Sequence, residues 1–180
     1  MNDRTYNQGA DKLRSTERVK RLEVERVVEL CLQGTAINSI LDIGTGSGLF
    51  AEAFSKFGIS VTGIDLNEEI LETAKEYLPN NDFKIGSAEN IPFDDGTFDA
   101  AFFGLVFHEV DDYKKAMLEA YRVARLHTFI LEWQYKVEDF GPPIEHRLES
   151  KFIKDLALTA GYKSFTTIPL SNLILYKFNK

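Results

Sequence analysis

The sequence predicts an α/β fold: a doubly wound, mostly parallel seven-stranded sheet with an antiparallel last strand and helices on both faces. Three observations predict it. Short apolar runs alternate with segments whose apolar residues recur at helical spacing, which demands a parallel sheet covered on both sides. Gly44, Gly46 and Gly48 follow directly on the first apolar run, where such sheets bind ligands at the carboxyl ends of their strands. The last two β-rich segments lie too close together for a helical crossover, so they must run antiparallel.

Each element follows from its residues. Val24, Val27, Val28 and Cys31 form one face of a helix ending near Gly34, and "SILDIG" reads as the first buried strand. Leu49, Phe50, Ala53, Phe54 and Phe57 mark the inward face of the next helix, closed by Gly58, and "SVTGID" is the second strand. Asn67 caps a helix with Glu68 and Glu69 in its first turn and Ile70, Leu71, Ala74 and Leu78 inward. "FKIGSAE" and "TFDAAFFG" give the third and fourth strands. Asp111 or Asp112 caps a helix burying Met117, Ala120, Tyr121 and Ala124, and "HTFILEW" is the fifth strand. After a Gly-Pro-Pro loop, a helix through Phe152, Ile153, Leu156 and Ala160 stops at Gly161. "KSFTTIP" and "NLILYKF" finish the chain. The polar stretch from Met1 to about Asp11 is expected to be mobile when nothing is bound, and no repeat or linker divides residues 1–180.

Composition narrows the functions. With 180 residues, 44% of them hydrophobic, the chain can build one substantial core. The polar start is not a signal peptide and no run is long enough to cross a bilayer, so no membrane is expected as a partner. A single cysteine, Cys31, makes neither an internal disulfide nor by itself a metal site, which points to a reducing, cytoplasmic setting. A formal net charge of −7 argues against a generic nucleic-acid surface and favours small or uncharged substrates.

The glycine segment "LDIGTGSGLF" carries the chemistry. Its glycines let the backbone turn tightly and bring a ligand close to the amides. Asp42 is placed to accept from a cationic amine or to orient the loop, and Asp65, ending the second strand, to take both hydroxyls of a ribose. An adenosine is therefore expected. A dinucleotide count from Gly44 fails at Leu49, whereas the shifted count Gly46, Gly48, Ala51 succeeds but leaves Gly44-Thr45 as extra loop. Neither "DIGTGSGLF" nor "GIDLNEE" contains Lys or Arg, so a ligand with no phosphates and a charged amino-acid tail fits better than a diphosphate.

At these residues the chain resembles the class I S-adenosylmethionine-dependent methyltransferases of the small-molecule kind, which have a Rossmann-like fold. "LDIGTGSG" is similar to their first motif, "GIDLNEEIL" to the second, and "IGSAENIPFDDGTFDAAFFGLVFHEVDD" to the third and fourth. "EAYRVAR" and "GPPIEHRLESKFIKDLALTAGY" extend the likeness, which covers roughly residues 18–162. One departure is "ARLHTF", where the family has a Lys-Pro-Gly-Gly turn. The resemblance implies a single methyltransferase domain over 1–180, with residues 1–34 as an N-terminal lid segment and helix. It implies S-adenosyl-L-methionine as cofactor. Gly44, Thr45 and Gly46 would lie against its methionine part, Asp42 near the amine, Asp65 on the ribose and Leu66 on the adenine. Ala88 would offer an amide to the adenine, Glu89 would meet the exocyclic amine, and the Gly104 carbonyl would take the methionine amine.

Methyl transfer from a sulfonium needs alignment more than acid–base help, and no catalytic residue is assigned. Candidates for the acceptor pocket each carry a plainer alternative. Phe107 and His108 follow the fourth strand; His108 orients or deprotonates an acceptor, or is a loop histidine bonded to backbone. Glu109 reads as solvent-exposed. Trp133 walls the pocket or is a core aromatic, His146 sits in the rigid "FGPPIEHR" loop, and Arg147 meets an acidic substrate or pairs with a loop acid. Tyr6 belongs to the N-terminal lid or to a disordered end. No DNA-amino methylation motif follows the fourth strand, and Asp111-Asp112 reads as a helix cap rather than a metal site. The reading is a methyltransferase for a small-molecule acceptor, monomer or homodimer, against a non-catalytic cofactor-binding protein and a nicotinamide-dependent oxidoreductase.

Overall fold

The computed structural model describes residues 13–180, so the expectations for Met1–Asp11, Tyr6 included, lie outside the described residues. Two helices lead in: α1 (Thr16–Arg21) and α2 (Val24–Leu32). They are separate because Glu23 between them takes a left-handed φ of 49°. Then β1 (Ser39–Ile43), α3 (Leu49–Lys56), β2 (Ser60–Asp65), α4 (Glu68–Tyr77) and β3 (Asp82–Ile85) alternate. β4 (Phe98–Gly104), α5 (Tyr113–Val123), β5 (Ala124–Trp133), α6 (Ser150–Ala160), β6 (Ser164–Pro169) and β7 (Leu173–Asn179) complete the chain. β3 is shorter than expected because the backbone from Gly86 leaves the sheet in a loop closed by a Ser87–Asn90 bridge.

The seven strands lie in the order β3-β2-β1-β4-β5-β7-β6. β7 is antiparallel to both its neighbours and the other pairings are parallel, as the short β6–β7 connection requires. α2, α3 and α4 cover one face through Val27, Val28, Phe54, Leu71 and Phe102. α5 and α6 cover the other through Leu41, Phe103, Met117, Ala120 and Ile153. Successive β4 residues therefore belong to opposite cores, Phe102 to one and Phe103 to the other, which is why the strand is apolar from Ala100 to Phe103.

Side chains cap α4 and α5. Asn67 Oδ1 accepts from Glu69 N and Ile70 N, and of the two acids before α5 it is Asp112 that accepts, from Lys115 N at 3.0 Å. Two expected inward aromatics face out instead: Phe57 lies just past the end of α3 and Phe152 sits on the outer part of α6, beside Tyr113. The family turn replaced by "ARLHTF" has a structural answer. α5 runs straight into β5, and one extra β5 residue is absorbed where the register steps from Phe98–Ala124 to Ala100–His127. The Lys180 ammonium closes the helix end on the Tyr121 and Ala124 carbonyls.

Candidate active site

The strand order reverses at β1 and β4, so their carboxyl ends open a crevice between the two loops that leave in opposite directions. The glycine turn after β1 forms one wall. Gly44 has a φ of +67°, and a Cβ there would lie 2.4 Å from Val106 Cγ2, so the close approach of the β4 loop admits no side chain. Val106 is set by Leu105, which is buried with a φ of +63° and donates its N–H to the Leu131 carbonyl at 3.0 Å. A left-handed leucine costs about 1–3 kcal/mol and persists only where its surroundings impose it.

Two acids organise the turn. Asp42 is buried and accepts from the Thr45 hydroxyl at 2.7 Å. Burial pushes its carboxyl up to about 7, opposed by the Thr45 hydrogen bond and reinforced by the nearby charge of Asp65. Asp65 holds the turn from outside: Oδ2 accepts from Gly46 N at 2.9 Å and Oδ1 from Asn67 N at 2.9 Å. Leu66, next along, is 69% exposed, an apolar side chain left bare at the mouth. Ser47 Oγ is buried without a hydrogen-bond partner among the described residues. The chain entering α1 packs over this turn, with Leu13 Cδ1 3.5 Å from where a Gly46 Cβ would stand. Arg14 donates to the Ser47 carbonyl, pairs with Glu52 and lies over the Tyr77 ring.

The remaining cofactor candidates ring the same end of the sheet. Gly104 ends β4, and a Cβ there would meet Phe102 and Phe50 within 3 Å. Ala88 packs partly buried against the α5–α6 core. Glu89 has a task the sequence reading missed: Oε1 accepts from Asp111 N at 2.7 Å and Asp112 N at 2.9 Å, fastening the loop after β3 to the start of α5. The donor set fits a cationic adenosine: carboxylates and carbonyls, glycine amides, an apolar platform, and an arginine already paired with an acid. S-adenosylmethionine meets that test, and a diphosphate does not.

On the acceptor side the structure separates the candidates. Phe107 is fully buried, edge-on to Phe103. His108 is 4% exposed and its ring bonds a carboxylate: Nδ1 lies 2.9 Å from Glu132 Oε2 and 3.1 Å from Oε1. The His108 N–H also donates to Glu132 Oε1 at 3.0 Å. Glu109, expected in solvent, has a side chain only 15% exposed, 3.8 Å from His108 Nε2. Trp133 is a core aromatic beside Phe140 and Gly141. Arg147 is buried, paired with Glu138, and donates to the Gln134, Phe140 and Pro142 carbonyls, so it staples its own loop. His146 is half-buried in the short turn Ile144–His146. Glu132 was legible only as an acid inside an apolar run that had to be buried on both faces; nothing in the sequence marked Leu105.

Comparison with known proteins agrees with this geometry. A family model described as "Methyltransferase domain" matches residues 41–130, which spans both loops of the crevice. The demethylmenaquinone methyltransferase of Renibacterium salmoninarum is 30% identical over 127 residues, 71% of this chain and 52% of that protein. That of Chlorobaculum tepidum is 38% identical over 95 residues, 52% of this chain and 39% of that protein. The chain thus spans about half the length of these relatives. A SAM-dependent methyltransferase of Aquifex aeolicus shares the fold, with a TM-score of 0.82, 24% identity, and coverage of 94% of this chain and 96% of that one. From the glycine turn to the reversal of strand order, the chain belongs to the methyltransferase domain family, in the class I group that takes S-adenosyl-L-methionine as cofactor.

Proposed function

We propose that this chain transfers a methyl group from S-adenosyl-L-methionine to a small-molecule acceptor by in-line displacement. The observation that carries the reading is the meeting of Asp65, the Gly44–Gly46 turn and the Gly104–Val106 loop at the reversal of strand order. In this reading Asp42 and the Gly104 carbonyl attract the methionine amine, Gly44, Thr45 and Gly46 bound its tail, and Asp65 accepts from the ribose. Leu66 and Ala88 flank the adenine, and Glu89 positions the Ala88 loop through its bonds to the α5 start. A small acceptor is supported by relatives named as demethylmenaquinone methyltransferases and by the absence, among the described residues, of any element beyond the sheet and its helices. No helix among the described residues is long and apolar enough to cross a membrane.

Calorimetric titration with S-adenosylhomocysteine tests the reading. Binding in the micromolar range is expected, weakened about tenfold or more in Asp65→Ala, which removes both the ribose acceptor and the anchor of Gly46. No heat from the wild-type chain at high micromolar ligand rejects it.

A further inference from the structure

Resting on that reading, we propose that Leu105 is a positioning residue: its left-handed backbone holds the Gly104 carbonyl in the crevice as an acceptor for the cofactor's ammonium, so the site selects ligands that carry one. β4 ends at Gly104, which pairs with Leu131 on β5. Leu105 N donates to the Leu131 carbonyl at 3.0 Å, so the N–H of the Gly104–Leu105 peptide faces β5. In a trans peptide the carbonyl points the opposite way, and the Gly104 oxygen therefore faces β1. There the parallel ladder runs out. Its last partners are Ile43 and Phe103, and the next β1 amide that would meet the Gly104 oxygen is that of Thr45. The left-handed turn at Gly44 swings Thr45 N across to β2 instead, where it donates to the Ile64 carbonyl at 2.9 Å. The ladder partner of the Gly104 oxygen is thus withdrawn at the point where the two strands part.

Leu105 keeps that peptide in place. Its φ of +63° is a rotation about the bond joining the peptide to the Leu105 Cα, so a change there turns the peptide plane and carries the carbonyl with it. The left-handed region runs against the steric preference of any L-residue with a Cβ. The side chain is 6% exposed, in the core that includes Phe50, Phe102 and Leu131. Its burial and the hydrogen bond to Leu131 together hold the strained conformation. An extended residue here would carry β4 on alongside β5, which continues to Trp133, and would lay chain across the crevice. The strain sits where it both opens the site and aims an acceptor. An ammonium has three N–H donors, enough to meet this carbonyl and the Asp42 carboxylate together.

Competition titrations with S-adenosylhomocysteine and its desamino analogue, which keeps the carboxylate and lacks the amine, test the assignment. The wild-type chain is expected to prefer the amine-bearing ligand about 30-fold or more. Leu105→Ile keeps the side-chain volume, but branching at Cβ disfavours the left-handed region. The preference is then expected to fall about tenfold, the worth of one hydrogen bond to a charged group. Leu105→Gly loses packing, so its urea midpoint is expected to drop, yet its backbone stays left-handed and its preference stays within about threefold of wild type. A packing role gives the reverse order, with the glycine variant losing more preference than the isoleucine one, and that result overturns the proposal. So does an isoleucine variant with the preference intact. Should Leu105→Ile not fold, the glycine variant decides alone: a retained preference supports the assignment and a lost one overturns it. A wild type that binds both ligands equally overturns it as well, whereas a wild type that binds neither rejects the methyltransferase reading itself.

Discussion

Gly44 meets two demands at once, a left-handed backbone and room for Val106, and each predicts a different part of a mutant's behaviour. Gly44→Ala is expected to lose about 1–3 kcal/mol of stability and at least tenfold in S-adenosylhomocysteine affinity. Adding Val106→Ala should restore part of the stability, since the collision goes while the strained φ stays; urea unfolding and calorimetry read both. Asp42 predicts a pH dependence. In the folded chain it keeps its proton up to about 7, whereas in the unfolded chain it releases it near about pH 3.9. The unfolded state therefore binds fewer protons between those values, so stability falls as pH rises through that window and levels off above it. Asp42→Asn is expected to flatten this slope when urea midpoints are compared at about pH 5 and about pH 8 without ligand. A wild-type midpoint that rises over the same interval while the variant's does not would contradict the assignment.

Between elements, charged side chains fasten the ends of strands and loops. Asp99, at the start of β4, accepts from Asn38 N, Ser39 N and Ser39 Oγ at the start of β1, and from Arg125 at the β5 bulge. The Arg125 hydrogen bond, with those backbone N–H groups, holds its carboxyl down to about 2. Its contribution is present above the unfolded value and is lost as pH falls through about 2. Asp99→Asn is expected to lower the thermal midpoint at neutral pH and to remove part of the acid limb between about pH 4 and pH 2. Arg147 predicts a larger effect. Replacing it by Met leaves three carbonyls without their donor and Glu138 with Lys136 as its partner, at a cost of about 3 kcal/mol or more. Because the guanidinium lies 5.5 Å over the Trp133 ring, the variant's tryptophan emission is expected to shift with the loop. The helix faces, the caps at Asn67 and Asp112 and the strand cores were legible because they follow local periodicity. The bulge at Arg125 was not, because its partner Asp99 lies far along the chain, and for Arg147 the sequence left a loop acid and a substrate as alternatives, because how an irregular loop folds back follows no periodicity.

As a whole, the molecule joins its two cores through one sheet, so unfolding is expected to be a single transition. The Lys177 ammonium ties β7 to the end of α2 through the Leu30 and Gln33 carbonyls, linking the last strand to the lead-in helices. Trp133, the chain's one tryptophan, sits in the α2–α4 core, so its fluorescence and far-ultraviolet circular dichroism should give coincident urea curves. Separate midpoints would mean that residues 13–34 unfold independently. S-adenosylhomocysteine at 100 times its Kd is expected to add about 2.7 kcal/mol.

The residues by themselves determined the alternation of strands and helices, the antiparallel ending and the glycine turn with its two acids, because these rest on periodicity, spacing and backbone freedom within a few positions. Only the tertiary structure decided what the side chains at the sheet's end do. It turned Arg147 inward onto its loop, gave Glu89 the start of α5, and set Glu132 against the ring of His108. Those assignments depend on which groups are brought within hydrogen-bond reach, a matter of how the loops after β3, β4 and β5 fold over one edge, and no periodic pattern encodes it.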